Sequence, residues 1–131
     1  MIKKVELKDI MNKINYDLLK LTQEYGNELI LGRGEDCTII HSIKGGGEDS
    51  LKGDKSKFSM LENYTLITKK KDDFYIKRIL KENSVFIFRK EKQIKLSEQF
   101  QEKLLKNNDR IYLGFYGPIE FKEYYDLGEF K

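Results

Sequence analysis

Short apolar runs, each alternating with polar or charged groups and closed by a turn signal, dominate the second half of this chain. Phe74-Tyr75-Ile76, Val85-Phe86-Ile87-Phe88, Ile111-Tyr112-Leu113 and Ile119-Glu120-Phe121 are the clearest. A period of two sends one set of side chains to a buried face and the other toward solvent, so each run reads as a half-buried strand. Eight Tyr and eight Phe with no Trp and one Pro suit that pattern, because aromatic side chains favour a pleated surface and Pro interrupts one. Repeated short strands with turns between them restrict the chain to an all-β, antiparallel two-sheet sandwich or a barrel. Its 131 residues suffice for one domain with a real core and are too few for two ordinary ones.

The elements follow in order. Val5, Leu7, Ile10, Met11 and Ile14 are spaced near three and four, which predicts a short amphipathic helix over 2–14, so that 1–15 form an N-terminal extension and 16–131 the sandwich. Residues 16–22 and 27–31 read as strands of a hairpin whose turn holds Gly26. Residues 41–57 are poor in apolar groups and rich in glycine, the composition of a long surface loop. Strands follow at 58–68, 73–80 and 84–89, with Lys69-Lys70-Lys71-Asp72-Asp73 as a charged hairpin tip. Ser97 is a candidate cap for a helical turn through Leu105, Asn107-Asn108-Asp109 forms a turn, and strands at 110–114 and 119–124 close the domain, the last started by Gly117-Pro118.

Composition excludes several classes of function. The 25 basic and 22 acidic residues nearly cancel to +3, so there is no basic tail for nucleic acid. No run approaches the roughly 18 apolar residues of a membrane span, and charges break the N-terminus where a signal peptide needs an apolar stretch, so a cytoplasmic protein, or one on the cytoplasmic face of a larger complex, is expected. One Cys, Cys37, excludes an internal disulfide framework, and Glu35 and Asp36 beside it oppose a reactive thiolate. One His, His41, assembles no metal site, and no cofactor is expected. Gly45-Gly46-Gly47 lacks the Gly-Lys-Ser/Thr that completes a P-loop, and no Gly-x-Ser-x-Gly elbow is present, so no enzyme activity is expected.

One cation stands out. Arg33 sits between Gly32 and Gly34 at the end of the apolar run Leu29-Ile30-Leu31. Such a place presents a planar, five-donor guanidinium to a phosphate or carboxylate, although a solvated arginine at a strand end looks the same in sequence. Leu31-Gly32-Arg33, then Asn83-Ser84-Val85-Phe86-Ile87, then Asn108-Asp109-Arg110-Ile111-Tyr112-Leu113-Gly114 occur in the order of the landmarks of the forkhead-associated (FHA) domain. That family has a Gly-Arg after its second strand, an Asn-Gly-Thr-aromatic-Val block in the middle and a Gly-Asp-x-Ile-x-Leu-Gly block before its last strands. Phe74 and Ile76 fall where it has a Tyr-x-Leu pair, and the resemblance spans residues 16–125.

The resemblance implies a β-sandwich that reads phosphothreonine peptides, a non-catalytic signalling and protein–protein interaction module. It makes Arg33 the main phosphate contact. In the family a Ser-Arg-x-His loop supplies further contacts, matched by type here by Ser56, Lys57 and Ser59; counting back from Phe74 instead puts Asn63 at the His and leaves no serine or cation. Lys57 brings charge without the bidentate fork of arginine. Asn83 is kept, Ser84 replaces the Gly, and Val85 replaces a Thr that donates a hydrogen bond near the peptide. These departures leave a second reading open: a degenerate FHA-like scaffold that binds a protein partner without phosphate, for instance in a bacterial assembly such as a secretion system. A nucleic-acid role for Lys69-Lys70-Lys71 is opposed by Asp72 and Asp73.

Overall fold

The computed structural model describes residues 2–11, 13–31, 65–79, 84–114 and 116–125. In chain order its elements are β1 (Ile2–Asp9), β2 (Ile14–Asp17), α1 (Leu18–Tyr25), β3 (Glu28–Leu31), β4 (Thr65–Lys70), β5 (Asp73–Arg78), β6 (Val85–Arg89), β7 (Lys92–Lys95), β8 (Glu102–Leu104), β9 (Arg110–Leu113) and β10 (Tyr116–Tyr125). They form a six-stranded sheet, β2-β1-β10-β9-β6-β7, and a four-stranded sheet, β3-β4-β5-β8. Every described pairing is antiparallel.

The alternation read from the sequence is what builds the core. Val85 and Ile87 of β6, Ile111 and Leu113 of β9, and Ile119 and Phe121 of β10 are buried, facing Leu29, Leu31, Ile67, Phe74 and Ile76 of the other sheet in one apolar cluster. Phe74 and Phe121 meet between the sheets, ring centroids 6.1 Å apart and tilted by 58°. The all-β sandwich expectation therefore holds.

Three local expectations do not. The segment 2–14 is not a helix: β1 lies between β2 and β10, and Val5 and Leu7 point into the core with a strand's period of two. Its apolar spacing fits both periods. Pairing with β10 decides between them, because Glu6 then opposes Lys122 and Lys8 opposes Glu120. Ile10 and Met11 are left exposed past the strand's end.

The expected first hairpin is also replaced. Only Tyr16 and Asp17 of the 16–22 strand are extended, and the chain then turns into α1. Asp17 caps the helix by accepting from the Lys20 amide at 3.1 Å, while Leu18 and Thr22, four apart on one face, are buried. Gly26 ends α1 at φ +96, its N–H donating to the Thr22 carbonyl at 3.0 Å.

In the segment 97–105 the Glu98–Gln101 turn is closed by the Gln101 amide donating to the Glu98 carbonyl at 3.2 Å and by the Gln101 side chain accepting from the Glu98 amide at 3.1 Å, not by a Ser97 cap. The rest is strand. The Arg78 amide donates to the Gln101 carbonyl at 3.0 Å and the Phe100 amide to the Arg78 carbonyl at 2.8 Å, drawing β8 onto the edge of the four-stranded sheet. The Lys69–Asp73 tip narrows to a turn at Lys71-Asp72, since β4 runs to Lys70 and β5 starts at Asp73. Lys70 pairs with Glu102 at 2.6 Å and lies 5.0 Å from the centre of the Tyr75 ring.

Candidate functional site

Leu31 ends β3 opposite Thr65, which begins β4, and Thr65 in turn lies opposite Arg78 at the end of β5. The Thr65 hydroxyl donates to the Lys77 carbonyl across that ladder. In the other sheet, Val85 at the start of β6 lies opposite Leu113 at the end of β9, and the Gly114 amide donates to the Ser84 carbonyl at 2.9 Å. Arg78 ties the two sheets together here. Its guanidinium donates to the Leu96 carbonyl at 2.9 Å, and the Leu96 amide donates to the Val85 carbonyl at 3.0 Å. The ends of β3, β5 and β9 and the starts of β4 and β6 thus share one end of the sandwich.

Arg33, Ser56, Lys57, Ser59 and Asn83 lie outside the described residues. Ser84 is described: it is half-buried at that end, immediately before β6. Val85, at the place of the family's Thr, is fully buried, so its side chain belongs to the core. Arg78 and Thr65 carried no signal in the sequence, because their roles come from cross-sheet neighbours far along the chain.

The opposite end is built around Asp109, the landmark acid of the Asn108-Asp109-Arg110 block. It is wholly buried, and Arg89 reaches both of its carboxylate oxygens, Nε to Oδ1 at 2.9 Å and Nη2 to Oδ2 at 2.8 Å. Nη2 also donates to the Leu104 carbonyl at 2.8 Å, and the Lys106 amide donates to Oδ2 at 2.9 Å. The hydrogen bonds it donates to Asp109 hold the Arg89 guanidinium above its usual range. This bidentate pair locks the β6–β7 turn to the β8–β9 loop and spends both charges on the fold. Nearby, the Glu123 amide donates to the Asn107 side chain at 2.8 Å, and burial followed by repulsion from Asp73 and Asp109 pushes the Glu123 carboxyl up. No group of His, Cys, Asp and Glu among the described residues is arranged to hold a metal ion. No helix among them is long and apolar enough to cross a membrane.

This architecture is that of solved FHA domains. One, from work on phosphothreonine-dependent FHA domain interactions, is 16% identical, with a TM-score of 0.58 over 95% of this chain and 100% of that one. The FHA domain of human APLF, in complex with an XRCC1 bisphospho peptide, is 17% identical with a TM-score of 0.59 over 95% of this chain and 100% of its own. The FhaA FHA domain, complexed with the intracellular domain of Rv3910, is 16% identical with a TM-score of 0.52 over 92% and 98% of the two chains. No family profile and no curated protein sequence matches the chain. The chain has the forkhead-associated fold.

Proposed function

We propose that the chain is a non-catalytic module that recognises phosphothreonine peptides at the sandwich end where β3, β4, β5 and β6 meet. The observation that carries this reading is that common end. Along the chain Arg33 follows the last residue of β3 by two positions, Ser56, Lys57 and Ser59 come before β4, and Asn83 and Ser84 come before β6, an order that supports assigning the contacts to this end. Among the solved domains of this fold, one comes from work on phosphothreonine-dependent interactions, and that of human APLF is in complex with a bisphospho peptide. A dianionic phosphate meets charge-assisted donors from Arg33, with Lys57 and the serines around it, while Asn83 bonds the peptide main chain.

Val85 lends less support to a phosphate-independent scaffold than its sequence position suggests. A side chain in the core is not one that a peptide would touch. A cytoplasmic setting, where threonine kinases act, suits the role. The test is a phosphothreonine peptide library passed over immobilised wild type and Arg33→Ala. Retention by the wild type and loss in the variant are expected, and a fall in affinity of at least tenfold corresponds to about 1.4 kcal/mol. Equal retention of the phosphothreonine peptides by both, or their equal retention before and after phosphatase treatment of the peptides, would overturn the reading.

A further inference from the structure

The outer face of the six-stranded sheet carries a second surface that the phosphopeptide reading leaves unused. Phe86 and Phe88 of β6 and Tyr112 of β9 are half-buried on the face turned away from the core, with Phe86 opposite Tyr112 and Phe88 opposite Arg110. With Gln93, Arg110 and Gly114 they line a groove of about 430 Å³. Arg110 is also in the wall of a second concavity of about 410 Å³, lined by Arg89, Lys90, Lys106, Asn107, Asn108 and Asp109. The two depressions therefore adjoin. Together they run along β9 from Gly114, at the loop end, to the far end of the sandwich, about 13 Å for four extended residues.

Charge is segregated along this track. Arg89 and Asp109 neutralise each other, whereas Lys90, Lys106 and Arg110 are exposed and form no ion pair among the described residues. Lys95 adds a cation beside the aromatic part, 5.8 Å from the centre of the Phe86 ring. The acidic groups near it in the sequence and register are Glu91, in the β6–β7 turn, and Glu120, opposite Arg110. One end thus calls for carboxylates and the other for an apolar side chain.

The rings are not offered as stacking platforms. Phe88 and Tyr112 meet edge to face, 5.3 Å apart at 79°, and the Gly117 backbone lies so close to Tyr112 that a Cβ there would stand 2.7 Å from Cδ1 of the ring. Single-stranded nucleic acid needs open ring faces with cations following its backbone past successive bases. A groove with engaged rings and most of its cations toward one end fits a side chain inserted beside a short acidic stretch.

We infer that this face is a second, phosphate-independent docking site for a protein partner, taking an extended segment with an apolar anchor among Phe86, Phe88 and Tyr112 and acidic residues on Lys90, Lys106 and Arg110. The probes are fluorescein-labelled ten-residue peptides of Glu with one central Phe, their Gln-for-Glu counterparts, and oligo(dT). Binding is followed by anisotropy and by NMR amide shifts on the full chain. The acidic peptide is expected to move amides of 86–90 and 106–114, to bind more weakly as salt rises, and to lose about tenfold or more in affinity on Lys106→Glu with Arg110→Glu. Both positions are exposed, and unchanged circular dichroism would show the fold intact. Arg33→Ala is expected to bind the peptide as the wild type does, which separates this site from the phosphopeptide reading. Absence of shifts on this face, equal binding of the Gln peptide, or tighter binding of oligo(dT) there would overturn the inference.

Discussion

Asp109 is conspicuous in the sequence as part of a family landmark, but its work is visible only with Arg89, twenty residues earlier, folded across it. Nothing in the spacing of the two predicts a bidentate pair, since it depends on β6 and β9 lying side by side. Glu123 is a related case of meaning acquired from neighbours. Burial, then Asp73 and Asp109, raise its carboxyl, so the folded protein holds this proton more tightly than the unfolded chain does. Stability linked to this group is fully present below the ordinary carboxylate range of about 4.3 and is lost as pH rises through the folded-state value. Glu123→Gln keeps the amide that donates to Asn107 and removes the charge. We expect its melting temperature to exceed that of wild type at neutral pH, with the difference closing below about pH 4 in thermal scans. A difference of the same size at both pH values would show that protonation is not its source.

Helix α1 and strand β1 are two of the elements whose identity changed between sequence and structure, and these two for one reason. Each is short, and over so few residues the apolar positions satisfy periods of two and of 3.6 equally well. For α1 the deciding group is Asp17, whose side chain satisfies the Lys20 amide. Asp17→Ala is therefore expected to cost about 1 kcal/mol in urea unfolding, and Asp17→Asn a few tenths at most, because the amide oxygen still caps. Equal losses for the two would assign the effect to charge and not to the hydrogen bond. Strand β7 shows the opposite problem. Lys92, Gln93 and Lys95 are exposed at the sheet's edge, so it carries no apolar alternation to read, and only its ladder with β6 defines it. Its lysines are what an edge strand uses to discourage further pairing.

Across the whole molecule, stability rests on two sheets that each expose an apolar face until they meet. Phe74 and Phe121 stand at that junction, both buried. Phe121→Ala is expected to destabilise by roughly 3–5 kcal/mol, lowering the urea midpoint with an unchanged slope and a single transition for the whole domain. Separate transitions for the two sheets would contradict a shared core. The class of fold and most of the core side chains were legible in the sequence because burial in a sandwich imposes a local period of two, which the core strands carry within themselves. So was the strand that ends at Leu31. The tertiary structure alone decided which short segment is helix or strand, that Arg89 neutralises Asp109, and that Phe86, Phe88 and Tyr112 share one outer face with Arg110. Those facts are contacts between residues far apart in the chain, and pairing register, not local pattern, brings such residues together.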